Sequence, residues 1–304
     1  MNLGYIASNI CKNALAPIIL PLARRRGSLG MDGDLDAVCA ALQGMVPGIE
    51  ALGLDVRDRH VLELGAGRTP DIAIAFALLG ARRVTSLDTR VQVPDDWRSS
   101  DRQGALEREL RDGRLVPLRA ALGVEAAHVG GAGTLGELPV TFAAYAGDRL
   151  PLPDESVDLV VSKSVMEHVG ADAVGALAAD MRRVLRPGGG MVHLIDLRDH
   201  MRIADDDVVG DWLDALRYPE PLFRAMFNRR STSINRLRSC EWRELLSRDG
   251  WDIRMWSERR YPFGAGFDRE DLAARWRQLS PDELAIGQIA VAIAAPKDET
   301  DSAP

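Results

Sequence analysis

The segment that most constrains the fold of this 304-residue chain is Val61–Pro70, with the sequence VLELGAGRTP. Residues 61–64 form a short, mostly apolar run bounded by glycine, which is typical of a strand buried on both faces of a parallel sheet. Gly65 and Gly67 permit a tight turn and allow a ligand to approach the main chain closely. The proline suits the first turn of a helix, which the apolar pattern predicts over 72–79. The segment therefore predicts a strand, a glycine turn and a helix, the start of a nucleotide-binding α/β unit.

The charges around this turn indicate which nucleotide fits. A second strand, predicted over Arg83–Asp88, ends in an acid 21 residues after Gly67, the spacing at which a carboxylate reaches the ribose hydroxyls of an adenosine. The dinucleotide pattern lacks its third glycine, and Glu63 precedes the turn, so a pyrophosphate would be repelled and a cationic ligand would not. These features favour S-adenosylmethionine over NAD and disfavour an NAD(P) oxidoreductase.

Four motifs, in this order, resemble those of the class I S-adenosylmethionine-dependent methyltransferases. They are ELGAG (Glu63–Gly67), the second-strand acid Asp88, GDRLPLPDESVDLVVSKSVMEHV (Gly147–Val169) and MRRVLRPGGG (Met181–Gly190). The third is the most specific, because it is close to the adenine-side and fourth-strand signature of that family. The resemblance extends over residues 55–200.

This resemblance implies an α/β fold with a Rossmann-like doubly wound sheet. Seven mostly parallel strands are expected, with the last one antiparallel, together with helical cap insertions. The sequence departs from the family at Arg68–Pro70, where many members carry a glycine. A methyltransferase type 11-like subgroup with an aromatic or basic residue followed by proline there is similar. That subgroup is associated with bacterial glycan and natural-product genes, which implies a sugar-containing or specialised-metabolite substrate.

The same resemblance implies which residues hold the cofactor. Asp148, just after the third strand, suits a hydrogen bond to the adenine amino group, and Lys163 suits either the ligand carboxylate or solvent. The candidates lie in the glycine turn, at the end of the second strand, after the third strand and at the end of the fourth: Glu63, Gly65, Ala66, Gly67, Asp88, Thr89, Asp148, Arg149, Ser162 and Lys163.

Two histidines are candidates for acid–base chemistry. An alcohol acceptor must lose a proton during methyl transfer, and His200 and His168 are the candidate bases, with Asp199 as orienter or alternative base. They follow the predicted fourth and fifth strands, whose carboxyl ends share one edge of a parallel sheet. No group of His, Cys or Asp residues has metal-ligand spacing in the sequence, so no metal is expected.

The predicted organisation begins with an N-terminal helical lid (1–55) and the cofactor core (56–200), which carries a cap insertion beside the nucleoside site (94–138). A substrate-recognition cap (201–240), the C-terminal part of the core (241–295) and a disordered tail (296–304) follow. Pro17 and Pro21 are expected to break the first apolar run as a long helix. The arginines and asparagines of Asn228–Arg238 are interpreted either as donors to a hydroxyl-rich or phosphate-bearing substrate or as a solvated basic face.

Composition narrows the functional classes. The net charge of −7 argues against a broad nucleic-acid surface, and no apolar window approaches the roughly 18 uninterrupted residues of a membrane span. Cys11, Cys39 and Cys240 lack metal spacing, which favours a reducing cytoplasm. Docking of the apolar and basic segment 14–26 to a membrane surface is a minor alternative, and the oligomeric state is left open.

We therefore predict an S-adenosylmethionine-dependent methyltransferase that acts on a hydroxyl of a small glycoside or glycan sugar. One alternative is N- or O-methylation of a specialised metabolite. The other, from a different class, is a catalytically silent nucleoside-binding module that partners a second protein.

Overall fold

The computed structural model describes residues 3–25, 35–67, 70–89, 100–130, 138–145, 147, 149–200, 212–229, 233–264 and 266–296. Its strands are His60–Leu64 (β1), Arg83–Asp88 (β2), Val140–Ala144 (β3), Val157–Lys163 (β4), Leu185–Asp196 (β5), Asp252–Arg260 (β6) and Ile286–Ala294 (β7). Its α-helices are Leu3–Arg25 (α1), Leu35–Leu52 (α2), Asp71–Leu78 (α3), Ser100–Arg111 (α4), Val116–Ala121 (α5), Val174–Val184 (α6), Glu220–Phe227 (α7), Ser239–Leu246 (α8), Ala274–Arg277 (α9) and Pro281–Leu284 (α10).

The seven described strands form one sheet in the order β3-β2-β1-β4-β5-β7-β6. All neighbouring pairs are parallel except those of β7, which runs antiparallel to both β5 and β6. The predicted Rossmann-like sheet with an antiparallel last strand is therefore confirmed. The strand order reverses between β1 and β4, and in open α/β sheets the crevice at such a reversal is where ligands bind.

Both faces of the sheet are covered by helices. One hydrophobic cluster joins α2, α3, α4 and α5 to the sheet, and a second joins α6 and α8 to the opposite face. Each residue of β1 is buried, as expected for a central strand covered on both sides. This packing fixes β1, β2 and β4 in a register that brings Leu64, Leu87 and Ser162 level at their carboxyl ends.

The N-terminal segment differs from the prediction. The helix α1 continues through Pro17 and Pro21, so the expectation that these prolines break it is wrong. A proline removes one main-chain hydrogen bond but holds φ near −65°, a value that a helix accepts. Asn13 of α1 donates to the main-chain oxygen of Ala225 at 2.9 Å, which fastens α1 to the C-terminal half of α7.

Helix α2 is, among the described helices, the one long and apolar enough to cross a membrane by length and composition. Its buried residues face β5, β7 and α5 within the domain, so it serves as a core helix of this sheet. Val38, Leu42 and Met45, which recur at helical spacing, are all buried there.

In the described part of the 94–138 insertion, Leu106 and Leu110 of α4 and Leu118 of α5 are fully buried in the main hydrophobic cluster. These helices therefore pack on the sheet as part of the core. The role of the insertion as a cap beside the nucleoside site stays a prediction. Arg102 of α4 also donates two hydrogen bonds, of 2.6 and 2.7 Å, to the buried carboxylate of Asp71 at the start of α3.

Two local details shape the sheet edge. The Met166–His168 segment is a 3₁₀ turn that precedes α6. Strand β5 begins at Leu185, and its pairing with β4 is irregular between Val157 and Leu159. The acidic run 205–207 and the tail 297–304 lie outside the described residues.

Candidate active site

The glycine loop, residues 65–67, leaves β1 at the reversal of the strand order. Gly65 has a φ of +79°, and its N–H donates a 2.6 Å hydrogen bond to the main-chain oxygen of Leu87 at the end of β2. A Cβ atom on Gly65 would lie 2.2 Å from Cγ2 of Val165, so only glycine fits without a shift. The loop is therefore in direct contact with the segment that follows β4.

Asp88 ends β2 beside this loop. The N–H of Gly67 donates to Oδ2 of Asp88 at 2.9 Å, and the hydroxyl of Thr89 lies 3.3 Å from Oδ1. Asp88 is half-buried, so its carboxylate reaches the edge of the sheet at the switch point. A carboxylate at that place and an open main-chain loop beside it fit the ribose of an adenosine ligand.

Glu63 lies beneath the loop. Its side chain is buried and accepts a 2.5 Å hydrogen bond from the hydroxyl of Ser86. Burial raises the pKa of Glu63 to about 7; the Ser86 hydrogen bond opposes this rise, and the charges of Asp71 and Asp88 add to it. Because Glu63 is buried, its charge would act on a ligand through the glycine loop, in which Ala66 is also buried.

The remaining cofactor candidates have different surroundings. Ser162 is fully buried, and its hydroxyl bonds to Nδ1 of His193 at 2.8 Å, so its side chain is committed inside the sheet. Lys163 is exposed at the end of β4, and Arg149 is exposed beyond β3. Asp148 lies outside the described residues.

A second group of side chains, which we call the Glu–His cluster, consists of Glu167, His168 and His200. Their candidate ligand atoms all lie within 4.8 Å of one another. The His168 and His200 rings are tilted, with centroids 4.9 Å apart. Nε2 of His200 lies 4.0 Å from Oε1 of Glu167 and 3.8 Å from Oδ2 of Asp196. The structure thus brings the two histidines of the sequence analysis together.

The carboxylates beside His200 differ in their electrostatics. Burial raises the pKa of Glu167 to about 8. Burial also tends to raise the pKa of Asp196, but the hydrogen bonds from Arg198, together with the nearby His200 ring, hold that pKa well below its usual range. Arg198 donates to both Asp196 oxygens at 2.9 and 2.6 Å. At neutral pH Asp196 is therefore a paired anion, whereas Glu167 is largely protonated.

His168 is held in one tautomer by the C-terminal half of the chain. Its Nδ1 lies 2.7 Å from the main-chain oxygen of Ser233, so Nδ1–H donates and Nε2 carries the lone pair. Although His168 is exposed, desolvation by neighbouring protein atoms lowers its pKa. The Ser233 hydrogen bond opposes that change, and the charge of His200 reinforces it.

The turn that carries Glu167 is clamped by Asn235. The Asn235 amide donates to the main-chain oxygens of Met166 and Val169 at 2.9 and 3.0 Å. Its main-chain N–H donates to the oxygen of Glu167 at 2.7 Å. Asn235 therefore positions Glu167 without belonging to the Glu–His cluster.

Asp199 takes a different place from that of the two histidines. Its side chain is buried, and its main-chain N–H donates to the oxygen of Trp212 at 2.8 Å. The carboxylate oxygens that the structure brings within 4.0 Å of His200 Nε2 belong to Asp196 and Glu167. The suggested role of Asp199 as orienter stays a prediction.

Two arginines predicted as substrate donors are instead buried. Arg238 donates to main-chain oxygens of Leu197 at 2.9 Å and Leu284 at 3.2 Å, and also to that of Ile286. Arg236 bonds the main-chain oxygens of Ala215 and Tyr218 and the carboxylate of Glu220. Both guanidinium groups hold the fold together, so the interpretation as substrate donors is wrong for these two residues.

Sequence reasoning missed the supporting role of Asp196, which ends a strand and has no motif of its own. It interpreted Asn235 as a possible donor to the substrate, whereas the side-chain amide bonds the main chain of the 166–169 turn. The one available signal for Asp196 was its position at the carboxyl end of a predicted strand, the edge where open α/β sheets bind ligands.

Comparison with known proteins bears on the identity of the chain. Residues 123–193 match the sequence profile of a family described as methyltransferase domain. An uncharacterized methyltransferase of Mycobacterium avium is 36% identical over 117 residues, which cover 34% of this chain and 45% of that protein. One from Mycobacterium ulcerans is 34% identical over 134 residues, covering 40% and 49%.

The matched region of the chain is similar to methyltransferase domains, in line with the class I S-adenosylmethionine-dependent methyltransferase resemblance of its motifs. It spans about half the length of the curated relatives it matches. A solved S-adenosylmethionine-dependent methyltransferase from Mesorhizobium loti is 17% identical, with a TM-score of 0.46 over 83% of this chain and 99% of that chain. The match to a methyltransferase domain supports the predicted enzyme class and cofactor, which stay proposals together with the residue assignments.

Proposed function

We propose that this chain transfers a methyl group from S-adenosylmethionine to a hydroxyl of a small glycoside or glycan sugar, in a reducing cytoplasm. One observation carries the proposal: the glycine loop with Asp88 and the Glu–His cluster share one edge of the sheet. S-adenosylmethionine, when bound, supplies a methyl group on a positively charged sulfur, which is already activated for transfer. What the chain must add is the alignment of an acceptor and the removal of its proton.

The cofactor would be held mainly by main chain. The positive φ values of Gly65 and Gly67 leave the loop open to close approach, and the Asp88 carboxylate is suited to accept hydrogen bonds from two vicinal hydroxyls. Thr89 and the exposed Lys163 flank this seat. Ala66 and Ser162 would contribute main-chain groups, because their side chains are buried.

On the acceptor side, His200 is the proposed proton acceptor. Its Nε2 is close to two carboxylates, and the paired anion of Asp196 would stabilise the imidazolium that forms. His168 is the second candidate, since its Nδ1–H is already committed to Ser233 and its Nε2 is a free base. A positioned base contributes roughly 10²–10⁴-fold to such a step. Alignment of acceptor and donor contributes about 7–11 kcal/mol more.

The substrate class rests on chemistry rather than on a bound molecule. An alcohol acceptor needs a base, whereas an amine needs much less assistance, and this edge of the sheet concentrates basic side chains. Methylation of a specialised metabolite at oxygen or nitrogen is the alternative, because the same edge accepts any small molecule with a hydroxyl. Broad nucleic-acid binding is disfavoured by the net charge of −7.

The test has two arms on the full chain. Isothermal titration with S-adenosylmethionine and separately with NADH is expected to give binding of the first and none of the second. Transfer of a labelled methyl group to a panel of glycosides, with a matched panel of amines, then identifies the acceptor atom. Tight NADH binding would refute the proposal, and cofactor binding without transfer to any acceptor would favour the silent nucleoside-binding module.

A pair of variants sharpens the first arm. Asp88→Asn is expected to weaken S-adenosylmethionine binding about tenfold, because a charged acceptor for two hydroxyls becomes a neutral one. Asp252→Asn is the matched control: Asp252 is an exposed carboxylate on β6, paired with Arg254 at 2.7 Å. Equal affinities for the two variants would remove Asp88 from the cofactor site.

A further inference from the structure

The Glu–His cluster contains an unusual carboxylate. The side chain of Glu167 is 1% exposed, and neither of its oxygens has a hydrogen-bond partner among the described residues. A buried carboxylate without hydrogen bonds is strongly unfavourable unless a positive charge or a proton compensates it. Within the cluster, His168 and His200 each place a ring nitrogen within 4.8 Å of an oxygen of this carboxylate.

The geometry around Glu167 matches what a cation requires. Ligand atoms from Glu167, His168 and His200 lie within 4.8 Å of one another. Two ligands that each bind one ion at about 2.1 Å are at most about 4.2 Å apart. The widest separation in the cluster exceeds that limit by about 0.6 Å, and a tetrahedral arrangement, with ligand atoms about 3.4 Å apart, needs a contraction of about 1.4 Å, which rotation of the side chains about their χ angles can supply.

The surroundings orient the imidazole of His168 as metal ligands are commonly oriented. Nδ1–H of His168 donates to the main-chain oxygen of Ser233 at 2.7 Å, which leaves Nε2 for an ion. Asp196 lies 3.8 Å from Nε2 of His200 and is itself held by Arg198, so it supplies negative charge beside the site. Asn235 fixes the turn from the other side.

We propose that Glu167, His168 and His200 bind one divalent transition-metal ion. Two imidazole nitrogens and one carboxylate oxygen suit zinc, cobalt, manganese or iron(II) better than magnesium or calcium, which prefer oxygen ligands. Three protein ligands leave coordination positions open, as in metal sites that act on a substrate. The sequence alone predicted no metal, because the two segments that carry the ligands are far apart along the chain.

Binding of the ion rests on the geometry alone, whereas its role rests on the proposed function. A hydroxyl or vicinal diol of the acceptor would occupy the open positions and lose its proton to solvent near neutral pH, since a divalent ion lowers the pKa of a bound oxygen. The acceptor oxygen then forms its bond to the methyl carbon as the carbon–sulfur bond breaks. His168 and His200 in that case act as ligands rather than as proton acceptors.

The test measures metal binding directly. The untagged full chain is freed of metal with a chelator and titrated with Co²⁺, while visible ligand-field absorption and bound cobalt are recorded. We expect one Co²⁺ per chain, displaced by Zn²⁺. Glu167→Gln and His200→Ala are each expected to weaken binding more than about tenfold. The matched control is His128→Ala, which removes an exposed histidine 3.9 Å from Glu125 and is expected to bind Co²⁺ like the unmodified chain.

Folding is controlled separately, because thermal unfolding of each variant shows whether the fold survives the change. Glu167→Gln keeps the volume of the side chain and removes only its charge, so a folded Glu167→Gln chain that binds Co²⁺ as tightly as the unmodified chain would refute the site. Loss of binding in His128→Ala would also refute it, by placing the ion elsewhere. Metal binding in a chain that binds no S-adenosylmethionine would leave the site standing and overturn the proposed function instead.

Discussion

The glycine loop and the Glu–His cluster meet at the same sheet edge, but they are built in different ways. The loop belongs to one continuous strand, turn and helix, and its ligand-facing groups are mostly main chain. The cluster joins the turn after β4 to the segment after β5, and it is braced by residues 233–235. A site made of main chain depends on local conformation, whereas a site made of side chains from separate segments depends on the packing of the whole domain.

The largest expected effect is on turnover when the cluster loses His200. His200→Ala is expected to lower turnover about 10³-fold, because either a base or a metal ligand is removed. The affinity for S-adenosylmethionine should stay within about twofold, since the glycine loop is untouched. Steady-state kinetics and isothermal titration measure the two quantities, with His128→Ala as control. Unchanged turnover would remove His200 from the mechanism.

The next largest effect is expected at the glycine loop, and it tests whether contact with Val165 couples this loop to the Glu–His cluster. Gly65→Ala places a Cβ 2.2 Å from Val165 at a φ of +79°, and should weaken S-adenosylmethionine binding about 100-fold. Gly67→Ala is the control, because it has a φ of +60° but no atom within 4 Å of its Cβ, and should cost about tenfold. Equal losses would mean that contact with Val165 does not couple the two regions.

A third measurement tests whether the charge of Glu63 or the main-chain shape of the glycine loop governs cofactor binding. Burial raises the pKa of Glu63 to about 7, so the folded protein binds a proton that the unfolded chain releases near pH 4.5. Stability should therefore fall as pH rises from about 5 to 8, by about 2 kcal/mol from this group. Glu63→Gln should remove that slope in chemical denaturation.

The same variant separates two views of the cofactor seat. If main-chain shape governs the loop, Glu63→Gln changes the affinity for S-adenosylmethionine less than about threefold at pH 7. A loss of about tenfold or more would instead show that the carboxylate charge acts on the bound cation.

The smallest expected effect comes from the brace of the cluster. Asn235→Ala removes two hydrogen bonds to the 166–169 turn and should lower turnover about tenfold, with little change in cofactor affinity. Asn9→Ala, which removes a side-chain hydrogen bond to Tyr5 within α1, is the control. A change in cofactor affinity instead of turnover would assign Asn235 to the loop side of the site.

The contrast between the two regions also explains what the sequence could predict. Strand β2 was predicted with the bounds Arg83–Asp88 that the structure has, because its apolar pattern and terminal acid are local signals. The shared edge of the fourth and fifth strands predicted that His168 and His200 lie close together, whereas the 3₁₀ turn that adds Glu167 to them depends on how β4 and β5 align and has no local signal. The structural roles of Arg236 and Arg238 follow from their burial, and a run of basic residues in the sequence does not reveal which of them are buried.

The position of β7 has a consequence for how the molecule is made. Although β7 follows β6 along the chain, it lies between β5 and β6, and its Gln288 donates to Asp196 beside the cluster. A nascent chain that has not yet released residues 286–294 from the ribosome therefore carries an open β5 edge and an unpaired β6. Such edges can pair with strands of other chains, so the insertion of β7 closes the two edges of this part of the sheet that are open to intermolecular pairing.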